Sequence, residues 1–440
     1  MRESLGIWIL TAAVFCAIFI PYLIKFRNRQ KKDLERKREA DYIGVGTPRS
    51  QYPLINNAVC IGCGSCVDAC PERDVLGIVF GKAAIINGDR CVGHGYCEQV
   101  CPVGALKVGL GDIKNRDDIP ILNEYNETSV PGLYIAGELG GISLIRNAIT
   151  QGKMVVNRIA DAVGSAGRPK ADYDLVIIGC GPAGLTASLT ALEKNISYVA
   201  FDQQDPGGTI LQYPRRKLVM TQPVEIPLYG RLEDNEYSKE HLLEIWKDII
   251  HSRKLNIQSN SKLESVKPQD SCFQVTAGGQ QVSANYVVLA MGRRGTPRKL
   301  GVPGEEKSKV MYQLIDAQSY NNTNIVVVGG GDSAAEAAIG LARQPGNTIY
   351  LSYRKAKLFR IKKKNEDRIN ELIKSGDIKP FFNSFLTEIR DDSVLVNVND
   401  KIIKIPNDYV FIFAGGIPPF GLLKEMGIVF GGEMKSIAAN

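Results

Sequence analysis

The sequence predicts an α/β chain: two doubly wound parallel-sheet units, a small α+β unit, and one N-terminal helix of bilayer length. Three observations carry this. β-branched runs end in glycine-rich turns and pass into helical runs twice, at 175–193 and 325–342. Seven of the ten cysteines fall within residues 60–101, mostly at two- and three-residue gaps. Residues 4–24 (SLGIWILTAAVFCAIFIPYLI) carry no charge. With 440 residues, 44% hydrophobic and 23% charged, the bulk has the composition of an ordinary globular protein with room for two or three cores.

The uncharged run comes first. About twenty apolar residues at ~1.5 Å rise cover roughly 30 Å of hydrocarbon. A buried core helix needs fewer turns. A cleaved signal peptide needs basic residues before the run and a small-residue site after it. Here one Arg and one Glu precede, and residues 25–40 hold eight Lys/Arg against three acids. A single-pass membrane anchor is therefore expected over 4–24, with the N-terminus outside and the bulk of the chain cytoplasmic. Residues 25–50 are expected as a basic juxtamembrane linker against anionic lipid, or as a solvated helix continuing the span. That stretch holds most of the net +7. The remainder is near neutral, which excludes the footprint of a nucleic-acid binder.

Residues 60–71 read C-I-G-C-G-S-C-V-D-A-C-P, a C-x2-C-x2-C-x3-C-P run. Short gaps with glycine let a loop wrap a cubane while thiolates point inward. A second run, C-V-G-H-G-Y-C-E-Q-V-C-P, fills 91–102 in the same frame, with His94 where a cysteine is expected. The fourth cysteine of each run ligates the other cluster. One cluster then takes Cys60, Cys63, Cys66 and Cys101. The other takes Cys70, Cys91 and Cys97, with His94 as candidate fourth ligand. Three roles for His94 stand open: an iron ligand that raises the potential, a non-ligand beside a 3Fe-4S or open-iron cluster, or an incidental loop residue. A short strand pair (VLGIVF, AAIIN) fits between the runs. Over 51–110 the chain resembles a two-cluster bacterial ferredoxin, which implies two 4Fe-4S-type iron–sulfur clusters.

Strand, turn and helix follow at 175–184, L-V-I-I-G-C-G-P-A-G. Gly179 makes the turn, Gly181 with Pro182 and Ala183 admits a pyrophosphate at the helix start, and Gly184 allows close packing. Asp202 ends the next strand, 23 residues on, where an acid holds a ribose hydroxyl. The second loop is Gly329-x-Gly331-x-Ser333-Ala334. Its second strand ends in Ser352-Tyr353-Arg354-Lys355, without an acid. Arg354, helped by Arg360, suits a 2′-phosphate, so NADP is favoured over NAD. Solvated surface charges are the alternative there.

With A-M-G-R-R-G-T-P-R at 290–298, I-F-A-G-G-I-P-P at 412–419 and P-G-L-Y-I-A-G-E at 131–138, the chain resembles flavoproteins of the thioredoxin-reductase type. That group includes ferredoxin–NADP reductases and bacillithiol-disulfide-reductase-like proteins. The resemblance implies two Rossmann-like dinucleotide-binding domains, FAD at the first loop and NADP at the second. Gly208 belongs to the same FAD-binding stretch. In that family the segment like 131–138 lies at the C-terminal end; here it precedes the first loop. A circular permutation is expected, with Ile119–Leu122 meeting the chain around Gly427–Phe430. Gly137, Glu138 (where the family has Asp), Asn147 and Ala148 would then border the flavin. The expected domains are 111–296 for FAD, completed by 405–434, and 297–404 for NADP.

Disulfide reductases of this group carry a cysteine pair beside the flavin. Neither PGGTILQYPRRK nor MYQLIDAQSYNNTN contains a cysteine. The expected function is a membrane-anchored NAD(P)H-dependent FAD oxidoreductase passing electrons through its clusters to a quinone, cytochrome or ferredoxin. No side chain is assigned as a catalytic acid or base, because hydride transfer needs none. A disulfide reductase using a partner's dithiol, and a redox sensor without turnover, are the competing readings. Family members often pair, which makes a homodimer an expectation of the resemblance.

Overall fold

The computed structural model describes residues 2–43, 52–109, 116–141, 144–163, 171–220, 223–234, 236–269 and 271–431. The chain forms two compact units, residues 1–111 and 112–440.

The first unit opens with one helix, Arg2–Ile43. Trp8, Leu10, Phe15, Ile18, Tyr22 and Ile24 all stand more than half exposed on it. It is long and apolar enough to cross a membrane. Pro21 lies inside it, a residue such helices tolerate better than soluble ones do. The basic stretch differs from a plain linker: it stays helical to Ile43 and packs onto the cysteine-rich module. The Asp33 carboxylate is buried and accepts the Ile78 N–H at 2.9 Å. Arg36 bridges Asp33 and Asp74. Gly77 leaves the room, since a Cβ there would lie 2.8 Å from that carboxyl. Residues 44–51 lie outside the described residues.

The module pairs Tyr52–Ile55 antiparallel with Leu106–Gly109, and Leu76–Val79 with Lys82–Ile85, the strand pair expected between the cysteine runs. Short helices Ser65–Asp68 and Tyr96–Gln99 follow Gly64 and Gly95, both left-handed at φ 85° and 82°. Each of those glycines turns the chain between two cysteines of a run.

The second unit holds a seven-stranded sheet and a five-stranded parallel sheet. In the first, Tyr173–Ile178 lies parallel to Tyr198–Phe201 on one side and to Gln280–Leu289 on the other. Leu133–Ile135 also pairs parallel with Gln280–Leu289, although it precedes the other strands in the chain. Helix Ile145–Val163 packs on helix Pro182–Glu193; a Cβ on Gly152 would overlap the Ala183 carbonyl oxygen. Pro120 bridges antiparallel to Phe430, and the Ile121 N–H donates to Val429 O at 2.9 Å. Arg293 donates to Asp118 at 2.8 Å, tying the same edge. The second sheet orders Val310–Met311, Tyr409–Ile412, Asn324–Val328, Thr348–Tyr353 and Ile378–Phe382. One boundary moves. Tyr409–Ile412, assigned from sequence to the first domain, pairs with Asn324–Val328 in the second sheet, because its apolar run is buried there. The return begins after it, where Leu423, Met426, Ile428 and Phe430 join the first sheet's core.

Gly152→Ala forces a methyl against the Ala183 carbonyl. Overpacking of about 1–3 kcal/mol should lower the second unit's unfolding temperature by roughly 3–10 °C. An unchanged melting curve contradicts this account of the helix pair.

Candidate functional site

A cavity of about 630 Å³ opens at the first glycine loop. Gly179 has φ 98°, and a Cβ there would lie 2.6 Å from Ala290 O. The helix then starts with Pro182 at its first position. Gly208 closes on Gly181, leaving 2.9 Å between a Cβ on the former and the Cα of the latter. Asp202 faces this loop: its carboxylate accepts the N–H of Cys180 at 2.6 Å and of Gln204 at 3.0 Å. Burial raises its pKa despite those bonds.

Strand Leu133–Ile135 delivers Gly137 and Glu138 to the same cavity, and the first turn of Ile145–Val163 delivers Ala148. Asn147, its neighbour, does not line it. A helix side chain alternates off the wall within one residue, so a position at the helix start does not assure contact. Sequence reasoning missed Tyr213 and Arg294, which line the cavity with Glu138. Burial, then the charge of Glu138, raises the Tyr213 pKa. Burial lowers that of Arg294, against the pull of Tyr213 and Glu138. Arg294 stands inside the 290–298 motif, and its place in that motif was the available signal. Leu144, Met291, Pro418 and Leu422 give one end an apolar lining. Backbone at a helix N-terminus, a ribose-facing acid and an apolar slot together fit a flavin dinucleotide.

The second loop repeats the geometry. Gly329 has φ 146°, with Phe413 O where a Cβ would go. The Tyr353 ring lies against Gly330. Gly331 precedes helix Asp332–Ala342, which carries Ser333, exposed, and Ala334, buried, in its first turn. Asp332 accepts from Lys362 N at 2.8 Å and Asn365 Nδ2 at 2.7 Å, bracing the following loop. Arg354 is exposed at the end of Thr348–Tyr353. Arg360 lies 5.9 Å and Lys355 4.6 Å from the Phe359 ring centre.

In the first unit the thiols line two cavities. Cys60, Cys63, Cys66 and Cys101 line one; Cys70, Cys91, His94 and Cys97 line the other. Backbone N–H groups of Ala83 and Ala105 point to Cys60 and Cys101 Sγ at 3.4 and 3.2 Å. Burial pushes the Cys66, Cys91 and Cys97 thiols up to about 11, so loading iron must release their protons. His94 Nε2 lies 3.4 Å from Glu72 Oε1, and its ring 5.9 Å from that of Tyr96. Among the described residues no three His, Cys, Asp or Glu side chains converge tightly enough for a single metal ion. The thiols line a hollow rather than meeting at a point. Cys180 is buried in the phosphate loop and Cys272 is half-buried; neither lines either hollow.

Residues 176–437 match the model of the pyridine nucleotide-disulphide oxidoreductase family, and residues 52–102 that of the 4Fe-4S dicluster domain. Bacilliredoxin reductase Bdr of Bacillus subtilis is 24% identical over 58% of this chain and 80% of its own. Ferredoxin–NADP reductase of Picrophilus torridus is 26% identical over 61% and 81%. The solved bacillithiol disulfide reductase Bdr of Staphylococcus aureus superposes with a TM-score of 0.52 at 25% identity, over 58% of this chain and 80% of its own.

If each hollow holds one cluster, Cys60→Ala and Cys101→Ala, 41 residues apart in sequence, should abolish the same EPR signal, and Cys70→Ala the other. Loss of different signals from the first two rules out the crossover. His94→Cys should lower the second cluster's midpoint potential by on the order of 100 mV and leave the first unmoved. An unshifted second cluster removes His94 from the iron.

Proposed function

The chain belongs to the pyridine nucleotide-disulphide oxidoreductase family, and on that premise we propose that it is a membrane-anchored oxidoreductase carrying electrons from NADPH through FAD to its own iron–sulfur clusters and on to a membrane or protein acceptor. One observation carries the reading. The chain couples a flavin-type cavity with two four-ligand hollows, while neither stretch that bears the family's redox thiols holds a cysteine.

The residues lining the cavity would hold FAD, which when bound would supply the conversion of a two-electron hydride into single electrons that a cluster can accept. The chain's own residues hold and bias it. Asp202 accepts from a ribose hydroxyl. The N–H groups at the start of Ile145–Val163, near Ala148, favour negative charge on the ring's pyrimidine edge. Glu138, one methylene longer than the family's Asp, lines the cavity and would hold the ribityl chain. Arg294, which lines the cavity with Glu138, offsets its charge there. Arg354, at the end of its strand and exposed, supplies a guanidinium for a 2′-phosphate. The thiolates hold the clusters, with His94 as fourth ligand of the second. The N-terminal helix anchors the chain, its basic stretch on the cytoplasmic side.

The names of relatives such as bacilliredoxin reductase favour a second reading, disulfide reduction through a partner's dithiol. Steady-state assay of the purified full chain separates the two. NADPH oxidation should be fast with a one-electron dye and negligible with a small disulfide. The reverse pattern overturns the proposal. Arg354→Ala should raise the KM for NADPH about tenfold or more, with little change for NADH, as loss of a charge-assisted phosphate contact does. Equal change for both nucleotides excludes a 2′-phosphate role.

A further inference from the structure

The helix is not merely tethered to the cysteine-rich module; it is registered against it. Lys37 Nζ reaches Ile85 O, which pairs across from Leu76. Asp33, one turn nearer the apolar run, takes Ile78 N–H and abuts Gly77. Arg29, another turn down, pairs with Asp68 at 2.9 Å. Phe26 packs into the core around Cys60, Cys66 and Cys97. Helix and strand therefore run antiparallel, and the Phe80–Gly81 hairpin tip points toward the apolar end of the helix. From Ile78 to Phe80 is roughly 7 Å of strand, equivalent to four or five helical residues, which puts Phe80 at the level of Arg29. The uncharged run ends at Ile24, roughly 7 Å further down and about one headgroup layer away.

What sits at that level is apolar and bare. Phe80 is 81% exposed and Ile61 62%. The loop holding Ile61 packs on the tip, since a Cβ on Gly62 would overlap Gly81 O. Val103, 37% exposed, lines the same hollow as Ile61, that of Cys60, Cys63, Cys66 and Cys101. Lys82 at the tip donates to Cys60 O at 2.5 Å, fastening tip to hollow. The hollow with His94 lies at the opposite end. It is lined by Val75 and Leu76, beside the Asp74 that Arg36 holds, and Arg36 is two turns beyond Arg29.

We infer that the module is seated on the bilayer surface, with Phe80 and Ile61 in the headgroup layer and the Cys60/Cys63/Cys66/Cys101 hollow facing the lipid. The occupant of this apolar lip is phospholipid, because the helix that fixes its height is continuous with the uncharged run. Aromatic side chains favour that layer. The first hollow is then the module's membrane-side terminus and the second its membrane-remote one. This rests on the reading of the N-terminal helix as a bilayer anchor.

The test uses the full chain, clusters loaded, in nanodiscs of phosphatidylcholine with or without brominated acyl chains. In the parent, Trp8 emission should fall in brominated discs, which reports the anchor. In a Trp8→Phe background, Phe80→Trp should also lose emission in brominated discs, and Ile61→Trp serves as a second reporter. Trp8 quenched with both reporters unchanged overturns the seating and leaves the anchor standing. Trp8 unquenched in the parent overturns the anchor, and the seating with it.

Discussion

Antiparallel contacts between Pro120–Ile121 and Val429–Phe430, braced by Arg293 on Asp118, join two segments that are about 310 residues apart in sequence at one edge of the second unit. Without that seam, strand Leu133–Ile135 and helix Ile145–Val163 could not stand ahead of the first glycine loop and still complete its sheet. The seam makes the permuted order workable. Family termini close in space allow the cut, and a strand inserted parallel beside Gln280–Leu289 keeps every ladder bond. The order has a chemical consequence. The last strand of the cysteine-rich module ends at Gly109, and Ile119 O already accepts from Gly431 N in the second unit. On the proposed electron route, so short a covalent link would keep donor and acceptor at high effective concentration whatever their arrangement.

That link answers the problem set by the cavity's own chemistry. A hydride brings two electrons, and the family's usual outlet is a dithiol beside the ring. Here residues 206–217 and 311–324 supply none, while Tyr213 and Arg294 line the cavity. The two hollows of the first unit offer four cysteines in one case, and three cysteines with His94 in the other. Each draws one cysteine from the other run, so Cys101 stands with Cys60, and Cys70 with Cys91. The crossed linings join the two runs in one fold.

Much of this was legible because spacing encodes it. The cysteine gaps match the two hollow linings, and the glycine loops match two turns in which Ala290 O and Phe413 O leave no room for a Cβ. The permuted segment was readable from 131–138 because a motif keeps its residues when its place in the chain changes. What escaped was tertiary. Tyr409–Ile412 is apolar enough for either sheet, and only its register with Asn324–Val328 decides. Asp33 read as one acid in a basic run; its burial depends on the strand edge at Ile78 and the vacancy at Gly77. Asn147 and Ala148 are adjacent in sequence, but only the latter lines the cavity.

The claim on which all this turns is that electrons from NADPH pass from flavin to cluster within one chain. Rapid freeze-quench EPR after anaerobic mixing of the full chain with one equivalent of NADPH tests it most directly, with flavin absorbance followed in parallel. The account requires reduced-cluster signals to grow within the turnover time, drawing on electrons that leave the bleached flavin. A flavin that stays fully reduced beside clusters still oxidised after many turnover times would contradict it.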